Sequence, residues 1–160
     1  MEALVNVLQE QLNEYKALLD IAAKKKQVLI GNDIKELDNL NKKEQEIIIR
    51  ATRLENKRLQ IIHTLSGYFS ASVESITLKD LAETAPQPFK SQLTPIYQEL
   101  QKVIEELSQT NQENSSLIEQ ALKIVNFTIN TIASSEREVV YPEKDSKGVK
   151  QLSRIFDSKA

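Results

Sequence analysis

Leu29-Ile30-Gly31-Asn32-Asp33-Ile34-Lys35-Glu36 is the stretch that decides the fold. On its N-terminal side, Val5, Leu8, Leu12, Tyr15, Leu19, Ala22 and Leu29 fall at helical spacings, with Lys26 the interruption. A helix turns once in about 3.6 residues, so this spacing lines up one apolar face. On its C-terminal side, Leu40, Ile47, Leu54, Ile61 and Tyr68 follow one another at intervals of seven. Leu37, Glu44, Ala51, Arg58 and Leu65 form a flanking stripe. Between the two runs, Gly31 is placed to adopt the left-handed conformation that ends a helix. Asp33 with Glu36 makes a variant of the capping box that opens the next. A connection this short makes the helices antiparallel neighbours. They are expected over Val5–Leu29 and from Ile34 to Ser66-Gly67, with Ala51 opposite Leu12 and Leu40 opposite Ala22, large residues against small ones.

Outward from the hairpin, Gly67 to Phe89 reads as irregular. Within it, Thr77-Leu78-Lys79-Asp80 predicts an N-cap and a short helix to about Glu83. Pro86 and Pro88 then forbid helix and extend the chain. A third long helix is expected from Lys90 to Ser134. Leu93, Ile96, Leu100, Val103 and Leu107 are its first stripe, with Ile104, Ile118, Val125 and Ile132 beside it. The polar stretch Thr110 to Ser116 consists of poorer helix formers and predicts a kink or a weak turn. After Ser135 the chain becomes a charged tail containing Tyr141-Pro142 and Gly148, in which Val149, Leu152, Ile155 and Phe156 could form a turn or two of amphipathic helix.

Composition agrees with this. The chain has 160 residues, 40% hydrophobic and 28% charged but only 5% aromatic, with Gly 3, Pro 4 and no Cys. That is too little Gly and Pro for a turn-rich β-fold. Disulfides and Cys-based metal sites are excluded, and with His63 the only histidine so are His-rich sites. A net charge of −2 and a pI near 5.6 supply no global pull toward nucleic acid or anionic membrane. Met1-Glu2-Ala3 does not open a signal peptide, and Ile47-Ile48-Ile49 is far short of the ~20 apolar residues of a membrane helix. The expected compartment is the cytoplasm.

Catalytic chemistry is not found. His63 has no nucleophile and orienting acid arranged around it, and it is expected to be a partly exposed helix residue. Glu44 has no second carboxylate placed opposite it and reads as a rim residue. Lys24-Lys25-Lys26 lacks the interleaved aromatics of a nucleic-acid site and reads as a solvated helix end. No Gly-rich phosphate loop exists. The expectation is a non-enzyme without metal or cofactor.

The fold class is therefore all-α: an elongated antiparallel three-helix bundle or coiled coil, with a short helix before the third long one and a flexible C-terminal tail. The bundle is assigned to 1–135 and the tail to 136–160. Two helices of ~30 residues reach ~45 Å, but a third of ~44 residues reaches ~66 Å. Roughly its last 14 residues, with Leu122, Ile124, Val125, Phe127, Ile129 and Ile132, have no hairpin left to cover them. That face fits an amphipathic helix of another protein, or a second copy in a homodimeric scaffold without client specificity. The tail around Val149 to Phe156 is a further candidate to fold back on it when no partner is bound.

The chain resembles the FlgN family of flagellar export chaperones. The likeness rests on Leu8 to Leu19 with Gln11 and Tyr15, the Leu29-Ile30-Gly31-Asn32-Asp33-Ile34 turn, Leu37, Leu40, Glu44-Gln45, Leu54-Glu55 and Arg58. It continues through Thr77-Leu78-Lys79-Asp80-Leu81, Leu100, Asn111 and Asn114 ahead of Leu117, and Tyr141, Gly148 and the final Asp157-Ser158-Lys159-Ala160. The resemblance implies a cytoplasmic, non-enzymatic chaperone. It would bind the C-terminal helical segments of hook–filament junction (hook-associated) proteins, prevent premature assembly and deliver them to the type III export gate. Leu117, Ile118, Leu122, Val125, Ile129 and Ile132 are the candidate client-binding residues. Tyr141, Leu152 and Phe156 are candidate tail contacts with the export apparatus.

Overall fold

The computed structural model describes residues 1–66 and 77–138. Helix α1 spans Glu2–Ile30, α2 Ile34–Ser66, α3 Leu78–Thr84 and α4 Phe89–Glu138. No strand occurs among the described residues. The chain divides into two compact units, Met1–Leu122 and Lys123–Ala160.

The deciding turn forms one residue later than its glycine suggests. Gly31 remains right-handed at φ −77°, ψ −7°, and Asn32 is the left-handed residue at φ 55°. The Asn32 N–H donates to Leu29 O at 3.3 Å and the Asp33 N–H to Val28 O at 3.1 Å. That pair of bonds closes a helix around a left-handed residue, and Asn tolerates this region because its short polar side chain bonds locally. The Asp33 carboxylate accepts from the Glu36 N–H at 3.0 Å and so caps α2. The reciprocal half of the capping box is replaced: Asp33's own N–H is committed to Val28, and Glu36 accepts from Asn39 Nδ2 at 3.2 Å. At α3 the box is complete, with the Thr77 hydroxyl accepting from the Asp80 N–H and the Asp80 carboxylate accepting from the Thr77 N–H. The Thr77 hydroxyl, which donates to the Asp80 carboxylate at 2.6 Å, and the Thr77 N–H together hold the Asp80 carboxyl below its ordinary range.

Helices α1 and α2 run antiparallel. Glu14 pairs with Arg50 at 2.9 Å, Gln11 with Glu55 at 2.9 Å and Lys25 with Glu44 at 2.9 Å, so numbers rise on one helix as they fall on the other. Leu12, Ala22, Leu40 and Ala51 are all buried. Leu40 clusters with Leu18, Ile21 and Ile47. Ala51 lines a shallow depression with Tyr15 and Leu18, about a turn along α1 from Leu12. The first half of α4 lies along α1 in the same direction, as shown by Lys16–Glu99 at 3.1 Å and Lys26–Glu113 at 2.7 Å. One apolar cluster ties all four helices together through Leu4, Leu8, Leu12, Ile62, Leu81, Ala82, Leu93, Ile96, Leu100 and Val103.

Two polar features have other outcomes than their sequence predicts. Helix α4 passes through 110–116 without a break. There Asn114 is buried and donates its Nδ2 to Ala22 O at 2.9 Å, while Glu113 accepts from Lys26. The Thr110 and Ser115 hydroxyls donate to the carbonyls of Glu106 and Asn111, four residues back. The polar run is an inter-helix contact rather than a weak turn. The lysine run is likewise more than a solvated helix end: Lys25 bonds Glu44 on α2 and Lys26 bonds Glu113 on α4. Lys26 therefore interrupts the apolar stripe with an ion pair that reaches across to α4. Pro95 lies inside α4, where a proline withholds an N–H from the carbonyl four residues back.

Candidate functional site

The C-terminal part of α4 carries the candidate residues. In the first unit, Leu117 is half-buried while Ile118 and Leu122 are exposed. In the second unit every side chain from Lys123 to Ser134 is exposed. Ile124 is 67% exposed, Val125 51%, Phe127 72%, Ile129 57% and Ile132 56%. Large apolar residues exposed together are unusual on a soluble monomer and mark an interaction surface.

The polar residues between them satisfy themselves on their own helix. The Thr128 hydroxyl donates to Ile124 O and the Thr131 hydroxyl to Phe127 O, both at 2.9 Å, and the Ser134 hydroxyl donates to Asn130 O at 2.7 Å. Bonding of this kind to the carbonyl four residues back removes hydroxyl groups from competition for an outside partner. What remains is an apolar surface with Asn126 and Asn130 as its polar edge and Lys123 as its one charge before Glu136.

A second concavity, of about 890 Å³, lies within the first unit. Tyr15, Tyr97, Leu100 and Ile104 supply apolar lining, and Glu55 and Arg58 form one wall. Arg58 donates to Glu55 at 2.6 and 2.8 Å, and Gln11 adds a third bond at 2.9 Å. The Arg58 bonds, helped by Gln11, hold the Glu55 carboxyl below the ordinary carboxylate range, and the same pair raises the Arg58 guanidinium. The pair thus presents an ionised carboxylate and a guanidinium, already bonded to each other, along one side of the concavity. The sequence signal for it was Arg58 standing among core-facing positions.

The other candidates are placed as follows. Glu44 is a half-buried partner of Lys25. His63 is exposed near the end of α2. No cluster of metal-ligating side chains is present among the described residues. No described helix is long and apolar enough to cross a membrane. The expected tail begins at 136, whereas α4 continues to Glu138. Tyr141, Leu152 and Phe156, and the docking of Val149 to Phe156 on α4, lie outside the described residues.

Among the described residues the protein is all-helical, and the C-terminal part of α4 is its longest run of exposed large apolar side chains. The FlgN protein family model matches residues 1–147, and the chain belongs to the FlgN family. Over 161 aligned residues it is 26% identical to the uncharacterized protein YvyG of Bacillus subtilis (strain 168), covering 99% of this chain and 98% of that protein. No solved structure gives a significant match.

Proposed function

We infer that the protein is a cytoplasmic flagellar export chaperone that holds the C-terminal helical segments of hook–filament junction proteins and delivers them to the type III export gate. The exposure of Val125, Ile129 and Ile132 on one side of α4 is the observation that carries this reading. A segment built to pack into a filament is apolar and helical, and a helix of that kind is received by an apolar helix face. Leu117, Ile118 and Leu122 extend the contact, with Leu117 contributing least because it is already half-buried. In this reading the antiparallel arrangement of the three long helices is the scaffold. The tail with Tyr141, Leu152 and Phe156 is the contact for the export apparatus. Nucleic acid, membrane insertion and cofactors have no part in it.

The test mixes the full chain with a full-length junction protein and measures stoichiometry and affinity by titration calorimetry and light scattering. A discrete complex that suppresses self-assembly of the junction protein is the expected result. A chain that dimerises through α4 and ignores the junction protein would establish the homodimeric scaffold instead.

A further inference from the structure

The apolar residues of the second unit do not form one stripe. At ~100° per residue, Val125, Ile129 and Ile132 fall within about 60° of helix circumference. Ile124 and Phe127 form another strip of about 60°, whose centre lies about 140° round the helix from the first. They are also the more exposed pair, at 67% and 72%. Thr128 separates the strips on one side, and Thr131, its hydroxyl bonded to Phe127 O, lies between Ile124 and Phe127 within the second. Lys123, Asn126, Asn130 and Ser134 occupy the arc on the other.

A helix resting on one surface needs a single apolar stripe, and a helix apolar on most sides belongs in an interior. A single client helix seated on Val125, Ile129 and Ile132 leaves Ile124 and Phe127 in water. A second copy of the chain also offers one such helix and covers one strip. Charge narrows the occupant further: from Ile124 to Ser134 no side chain is ionisable. A charged partner surface would lose its water there with no counter-charge to meet. We propose that the occupant is a pair of uncharged, aliphatic helical surfaces from one client, which clasp residues 124–132 from two sides and leave Asn126 and Asn130 at the open edge.

This rests on the chaperone reading and is separable from it. The chain contains no cysteine, so Val125→Cys, Ile129→Cys, Ile124→Cys, Phe127→Cys and Asn130→Cys each introduce one thiol at an exposed position of the full chain. Alkylation by iodoacetamide is timed for each variant, alone and with saturating full-length junction protein. The clasp predicts slowing of about tenfold or more at Val125, Ile129, Ile124 and Phe127, and less than about twofold at Asn130. Slowing confined to Val125 and Ile129 overturns the clasp and leaves the chaperone reading intact. A complex that slows none of the five overturns the placement of the client on α4, and the clasp with it. Slowing without junction protein that grows with chain concentration identifies a second copy as occupant and also overturns the clasp.

Discussion

Replacing Val125 and Ile129 together by Asp isolates the surface on which the functional reading depends. Burying a Val or Ile side chain completely is worth about 1.5–3 kcal/mol. Val125 is 51% and Ile129 57% exposed in the free chain, so about 1 kcal/mol of each remains for a client to recover. Losing both, as in Val125→Ala with Ile129→Ala, weakens binding by about 2 kcal/mol, or roughly 30-fold. Aspartate adds the cost of stripping water from two carboxylates, several kcal/mol per ion when the contact is dry, so the affinity falls by about 1,000-fold or more. The free chain should scarcely notice: both positions face water, and Val, Ile and Asp have similar helix propensities. The assay is fluorescence anisotropy with a labelled junction-protein C-terminal segment, beside far-ultraviolet circular dichroism of the variant. Ile34→Asp is the control, because Ile34 is 74% exposed at the α1–α2 turn and lies off α4. If the double aspartate variant keeps its helicity and binds within about threefold of the parent, the client sits elsewhere.

Three further outcomes follow from the packing. Gly31→Ala should stabilise the chain by about 0.4–1 kcal/mol in urea denaturation, because Gly31 is right-handed and an added Cβ would rest 3.4 Å from Gln27 O; Asn32→Val should destabilise it by about 1–2 kcal/mol. Asn114 donates through Nδ2, but its buried Oδ1 has no protein partner among the described residues, so Asn114→Leu should be close to neutral while Asn114→Asp, burying an uncompensated charge, costs about 3 kcal/mol or more on the same assay. Arg58 holds Glu55 below its ordinary range, so the pair's contribution is fully present above pH ~4.3 and is lost as pH falls through the lowered value. Melting temperature against pH should therefore drop less steeply below that point in Glu55→Gln than in the parent.

Periodicity revealed the helices, because each long helix repeats its apolar residues often enough for one face to dominate. The α1–α2 turn was legible in kind but not in detail. Gly31 and Asn32 can both adopt a left-handed conformation, and the choice depends on which residue lets Asp33 bond Val28 and still cap α2. The charged exceptions were visible, but their partners were not. Lys26 and Glu113 are 87 positions apart, and nothing local to either predicts a 2.7 Å contact. On α4 the surplus apolar length was legible from arithmetic alone. The first strip stood out because it repeats at heptad-like intervals. Ile124 and Phe127 were visible as part of that surplus but not as a strip of their own, because two residues make no period.

The two polar stretches of α4 show why composition alone misleads and how the chaperone reading gains a mechanism of release. Residues 110–116 and 126–131 both mix Asn and Thr into the helix. In the first, Asn114 and Glu113 reach α1, and the bonds fix where α4 lies along it. In the second, Thr128 and Thr131 turn back to their own backbone and, among the described residues, bond no other helix. Directional bonds are thus concentrated where one arrangement must be held. They are withheld from the surface assigned to the client. A contact there draws on apolar burial, which is non-directional and tolerant of sequence. Leaving it breaks neither an ion pair nor an hydroxyl hydrogen bond, so no charged group from 124–134 is stranded when the client departs. A surface of this kind holds a helix through contact area and lets go as that area is peeled away, the behaviour a carrier requires and a permanent subunit interface does not.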